Sequence, residues 1–250
     1  MKKAILLLHG WLSDINDFEQ LIPDLEQMYD HIERVSYSGH GDDDPDNFDD
    51  VETFNQLDEV FKKLQLNYEI IDVVGFSMGG ALAVYLSQNY AFNKLVLLAP
   101  ANRYLNFRFT FSRVKHLIKT LYSYELAVIK KDEEEKEYHK NKLRMVFEDD
   151  KYSLSFAKDK YLNKYFRKSF RTFKRIIKKV NSNITIIRNP LFIAWGKFDQ
   201  LVPHTSAKDL YDICINENKQ LMIYEEMSHT LILNKNNQVL VADIIKFLKD

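Results

Sequence analysis

Short apolar runs alternate along this chain with longer stretches in which apolar positions recur at helical spacing. Ala4–Leu8, Ile70–Val74, Leu95–Ala99, Leu191–Trp195 and Leu221–Tyr224 are runs of strand length. Each has the apolar density of a strand buried on both faces. His31–Tyr37 alternates apolar and polar residues and is a sixth candidate strand. Between most of these runs the 3.6-residue period predicts helices at Phe18–Tyr29, Val51–Leu66, Met78–Asn89 and Thr205–Asn216, with Val239–Leu248 closing the chain. Buried strands alternating with helices predict an α/β fold, a mostly parallel sheet of about six strands covered by helices on both sides.

One interval breaks the alternation. From Asn102 to Asn183 no strand pattern appears, and helices are expected at Val114–Tyr122, Glu133–Phe147 and Tyr161–Val180. Residues 101–180 hold 15 of the chain's 31 Phe and Tyr, half of them in a third of the length. An aromatic-rich helical insertion after a strand end has the character of a cap over an active site. The expected division is a core of residues 1–101 and 184–250 with a helical cap at 102–183.

The seven glycines sharpen the picture: Gly10, Gly39, Gly41, Gly75, Gly79, Gly80 and Gly196. Six fall just after, or at the end of, a predicted strand, and Gly80 extends one such cluster. Glycine permits tight turns and close backbone approach. In open α/β sheets the ligand crevice lies beyond the carboxyl ends of the strands.

Gly75-Phe76-Ser77-Met78-Gly79 is a G-x-S-x-G motif between a strand run and a helix. In that setting it reads as a nucleophile elbow, with the Ser77 hydroxyl held above the sheet edge at a helix N-terminus. The plain alternative is a glycine-rich turn serving only helix–sheet packing. A serine hydroxyl needs a base, and in this fold a carboxylate and then a histidine follow the serine along the chain. His229 follows the last predicted strand in a short loop, and Asp199 follows the Leu191–Trp195 strand. His229 would take and return the serine proton while Asp199 fixes the imidazole tautomer. For Asp199 the alternative is a turn residue ahead of the helix that Pro203 begins. The backbone N–H groups of Met78 and Trp11 are the candidate oxyanion donors. Losing such a donor costs on the order of a hundred- to a thousandfold in rate.

These residues carry a resemblance. Leu6-Leu7-Leu8-His9-Gly10-Trp11, Tyr37-Ser38-Gly39-His40-Gly41, Gly75–Gly80, Trp195–Pro203 and Met227-Ser228-His229-Thr230 resemble the α/β-hydrolase superfamily. Within it the chain is similar to small bacterial carboxylesterases and monoacylglycerol lipases. The resemblance implies an acyl-enzyme mechanism, a small-molecule acyl ester substrate, no cofactor and no metal, and a cap inserted after the Leu95–Ala99 strand. The insertion is where the chain departs from its relatives, being long and basic. A thioesterase or acyltransferase using the same triad stays open, as does a non-catalytic ligand-binding relative.

Charge adds one feature. The whole chain has a formal net charge of -1, which gives no sign of a nucleic-acid partner. Residues 101–180 hold 22 Lys and Arg against 10 Asp and Glu, a local excess of +12 that leaves -13 for the remainder. Between Lys158 and Lys179 ten basic residues accompany one acid, Asp159, and Phe166, Phe170 and Phe173 form a stripe. That segment is either a cap helix with solvated charges or a weak association surface for anionic membrane. Asp42-Asp43-Asp44 lacks the spacing of a calcium loop. With one cysteine, Cys214, no leader pattern and no run near the ~20 apolar residues of a membrane span, the chain reads as cytoplasmic.

Overall fold

The computed structural model describes residues 1–103, 122–124, 126–139, 165–199 and 201–250. Of the helices expected in the insertion, Val114–Tyr122 lies outside the described residues except for Tyr122. Glu133–Phe147 is described as far as residue 139, and Tyr161–Val180 from residue 165.

All six predicted strands form: β1 (Lys3–Leu8), β2 (His31–Val35), β3 (Ile70–Phe76), β4 (Leu95–Leu98), β5 (Leu191–Gly196) and β6 (Lys219–Tyr224). They make one sheet in the order β2-β1-β3-β4-β5-β6, every neighbouring pair parallel. The chain runs outward from β1 to β2 and then returns to β1's other side with β3. This reversal leaves the carboxyl ends of β1 and β3 side by side, with Leu8 opposite Gly75. It is the switch point at which open α/β sheets place a ligand crevice.

The helices are α1 (Ile22–Leu25), α2 (Asp50–Asn67), α3 (Met78–Asn89), α4 (Phe166–Asn183), α5 (His204–Asp212) and α6 (Gln238–Lys249). Residues 126–130 and 133–139 are helical as well. Helix α2 starts where the Asp49 carboxylate accepts hydrogen bonds from the Val51 and Glu52 amides, at 2.9 and 3.1 Å. Such a cap satisfies two of the helix's unpaired donors. Its buried Phe54, Leu57, Phe61 and Leu64 follow the 3.6-residue period. On one sheet face Ile5, Leu7, Val74, Phe76, Val96, Leu98, Phe192 and Ala194 pack with Leu240, Ile244, Phe247 and Leu248 of α6. Residues of alternate parity, such as Leu6, Leu8, Val73 and Leu97, are equally buried. A strand whose successive side chains are all buried is covered on both faces.

Two elements differ from expectation. Phe18–Tyr29 is not one helix: a 3-10 turn at Ile15–Phe18 leads into the four-residue α1. The stripe is still real, since Phe18, Leu21, Leu25 and Tyr29 are all buried. Pro23, lacking an N–H, sits in the first turn of α1, and three-residue and four-residue bonds are mixed on to Tyr29. The final strand is not buried on both faces either. Among the described residues β6 pairs only with β5, and its Met222 and Ile223 are exposed.

The chain divides into two compact units, Met1–Tyr104 with Arg167–Asp250, and Leu105–Phe166. From Arg167 onward α4 belongs to the first unit. There it buries Phe173, Ile176, Ile177 and Val180.

Candidate active site

Four strand ends of the first unit supply the residues singled out in the sequence. Ser77 is the single residue between β3 and α3, and its backbone is strained, with φ 54° and ψ -113°. A non-glycine residue persists there only when its surroundings over-determine it. They do so here. The Ser77 amide donates to the Leu98 carbonyl at 2.9 Å, and its own carbonyl accepts from Ala81 and Ala101 at 3.2 and 3.0 Å. Gly79 lets the first turn of α3 descend onto β1, for a Cβ built there would lie 1.9 Å from the Leu8 carbonyl oxygen.

Asp199 lies in the loop after β5, and its side chain is wholly buried. Its Oδ1 accepts the Leu201 and Val202 amides, both at 2.8 Å. This is the turn role that the sequence offers as an alternative, and it leaves Oδ2 free for a second partner. That partner is His229 Nδ1, at 2.8 Å. His229 Nε2 in turn lies 2.8 Å from Ser77 Oγ. A carboxylate can only accept, so the imidazole hydrogen sits on Nδ1 and Nε2 accepts from the serine hydroxyl. His229 arrives by a loop that crosses close over Gly196, where an added Cβ would meet the Ser228 carbonyl oxygen at 2.3 Å. The two loops are laced together by the Lys197 amide on the Tyr224 carbonyl and the Phe198 amide on the Met227 carbonyl, both at 2.9 Å. Phe76 flanks the imidazole, ring centres 5.4 Å apart.

Of the candidate oxyanion donors, Met78 opens α3 and is fully buried. Trp11 follows β1 in a loop that passes beside the nucleophile. A Cβ built on Gly10 would come within 3.5 Å of Ser77 Cβ. The loop is held by a residue that sequence reasoning missed. Asp17 is buried, accepts the Gly10 amide at 3.1 Å and is bonded by the Ser13 hydroxyl. Burial, and then the Asp17 charge, push the Tyr37 phenol well above its usual range and keep it neutral beside that carboxylate. Nothing in the local pattern marks Asp17, which reads as a polar residue at the edge of the first helix.

A buried carboxylate, imidazole and hydroxyl in sequence can generate an alkoxide-like nucleophile without a metal ligand set. The family described as serine aminopeptidase, S33 (Hydrolase_4) matches residues 1–236. The chain belongs to that family. This S33-family hydrolase is 22% identical over 251 residues to a carboxylesterase of Bacillus subtilis (strain 168), a match covering 99% of this chain and 92% of that protein. Among solved structures it is similar to one reported for the metagenome-derived lipolytic enzymes LipS and LipT. There the TM-score is 0.69, the identity 13%, and the coverage 99% of this chain and 94% of that one. It is also similar to an esterase of Exiguobacterium antarcticum, with TM-score 0.68, identity 20%, and coverage 99% and 92%. At such identities the structural likeness speaks for the fold, and the fold is the α/β-hydrolase architecture that the sequence motifs imply.

Proposed function

We propose that this S33-family member is a serine esterase whose nucleophile, base and orienting acid are Ser77, His229 and Asp199. The observation that carries the reading is the Asp199–His229–Ser77 hydrogen-bond relay, both links 2.8 Å long. In this mechanism Ser77 Oγ attacks the ester carbonyl as its proton passes to His229 Nε2. The Trp11 and Met78 amides receive the developing negative oxygen, and His229 returns the proton to the departing alcohol. Water, activated by the same imidazole, then releases the acid from the acyl-enzyme. Asp199 holds the imidazole in the required tautomer and stabilises the imidazolium, and stays ionised throughout.

The substrate class is a carboxylic ester of short to medium acyl length, or a monoacylglycerol, selected by the insertion at 102–183 acting as a cap. The aromatic content of that insertion supports an apolar acyl group. The test is turnover of a p-nitrophenyl ester series from acetate to laurate, run beside an acyl-thioester and an aminoacyl p-nitroanilide. Ester turnover peaking at one chain length is the expected result. Preference for the thioester would move the reading to a thioesterase or acyltransferase. Preference for the anilide would favour the peptidase chemistry in the family's description, and inertness toward all three would favour a binding role.

A second reading, weak association with anionic membrane, is supported by α4. Arg167, Lys168, Arg171, Lys174 and Lys178 are exposed along it, and the helix contains no acidic residue. Its apolar side is buried within the protein, so charge alone would draw it to a surface, and the attraction would be screened by salt. Co-sedimentation with phosphatidylglycerol vesicles, lost at high salt and absent with phosphatidylcholine, is the expected outcome. Equal binding to both lipids would refute it.

A further inference from the structure

We infer that Ser169 is a positioning residue for the oxyanion hole, acting through the indole of Trp11. This rests on the esterase reading, in which the Trp11 amide is an oxyanion donor.

The Trp11 peptide sits between two constrained neighbours. On one side the Gly10 amide is tied to buried Asp17. On the other, Leu12 holds φ at 60°, in the left-handed region that a branched L-residue avoids. A loop containing such a residue relaxes unless something holds it. The Trp11 side chain supplies the hold. Its Nε1–H donates to Ser169 Oγ at 2.7 Å, and its ring stacks on Phe173 with centres 4.9 Å apart and planes 24° from parallel. Phe170 flanks the same ring at 5.7 Å. An indole has one donor and no acceptor, so this bond fixes both the place and the rotation of the ring.

The far end of the pin is rigid. Ser169 and Phe173 are buried in α4, which is fastened to the rest of the first unit along one edge of its apolar stripe. The Thr172 hydroxyl donates to the Phe48 carbonyl at 3.3 Å, and Arg175 Nε bonds Asp50 at 2.6 Å. A helix reached 158 positions later in the chain therefore sets the rotamer of the residue whose amide faces the developing charge. Preorganised donors of this kind act on the transition state and leave ground-state binding alone.

The experiment is steady-state hydrolysis of a p-nitrophenyl ester by Ser169→Ala, Trp11→Phe and the double variant, with inhibition by an alkylboronic acid. The boronate forms a tetrahedral serine adduct with an oxygen in the donor position. Ser169→Ala leaves the Trp11 amide present but displaced, so kcat is expected to fall about tenfold, less than the loss of a donor outright. KM should stay within about twofold, and the boronate inhibition constant should rise by the same factor as kcat falls. The double variant should be no worse than either single one, because both cut the same link. Ser169→Thr, which keeps the hydroxyl, should recover most of the rate. Unchanged kcat in Ser169→Ala overturns the inference. So does a fall in activity that tracks thermal stability with boronate affinity unchanged, which marks a merely structural contact. Activity surviving in Ser77→Ala would instead remove the esterase reading itself.

Discussion

Ser77→Ala is expected to lower ester turnover by on the order of a millionfold while leaving the protein folded. The substitution deletes the hydroxyl oxygen that lies 2.8 Å from His229 Nε2, the one this reading has the imidazole activate. The proposed backbone donors at Met78 and Trp11 would remain, and catalysis by binding and electrostatics alone would leave a residue of activity roughly a thousandfold above the uncatalysed rate. Stability should barely move, because alanine has the same Cβ as serine and bears the same strain at φ 54°. Measured with a p-nitrophenyl ester beside a thermal melt, the expected pattern is an inactive enzyme with an unaltered transition. Turnover near the wild-type level would mean that the hydroxyl above α3 is not the nucleophile.

Gly79→Ala is expected to destabilise the protein by about 3 kcal/mol or more, although alanine is the better helix former by about 1 kcal/mol. Two effects oppose each other, and distance decides between them. The new Cβ would stand 1.9 Å from the Leu8 carbonyl oxygen, 2.4 Å from its carbon and 2.6 Å from the His9 oxygen. All three are backbone atoms, and Leu8 is paired with strands on both sides, so none can swing away. Relief requires α3 to lift from the sheet or β1 to move. Either change carries Ser77 or the Gly10–Trp11 loop with it. Urea unfolding should show a lower midpoint, with ester hydrolysis lost even where the variant remains folded. A variant with wild-type midpoint and rate would contradict the geometry.

What could be read from the sequence was what a few adjacent residues impose on one another. Gly75 to Gly80 dictate a turn wherever they occur, and the helix expected at Met78–Asn89 forms with those bounds. The order of Ser77, Asp199 and His229 placed them on one sheet edge, and the structure brings them within hydrogen-bond reach. Legibility ended where a residue's role is set by a distant partner. Asp17 and Ser169 carry no local signal, for each is defined by a backbone amide or an indole supplied by another segment. Periodicity misled in a different way over Phe18–Tyr29. It reported the buried side of the segment correctly but could not register the change of helix type around Pro23. At β6 the apolar run reported strand character and not position, since an edge strand and a central one can share a composition.

The join between β4 and β5 has a polymer-statistical consequence. Leu95 and Leu191 are directly paired neighbours, although roughly ninety residues separate the two strands along the chain. For a connection treated as fully flexible, closure over that length costs about 4 kcal/mol of chain entropy, and doubling the length adds only about 0.6. The sheet registers that hold Ser77 and Asp199 are thus nearly indifferent to how much chain is threaded between them. Lengthening, shortening or exchanging residues 105–166 is thermodynamically cheap for the first unit, which has β1 to β4 complete before that stretch and keeps α4 from Arg167 onward. One catalytic frame can therefore be paired with many different inserts at little cost in its own stability.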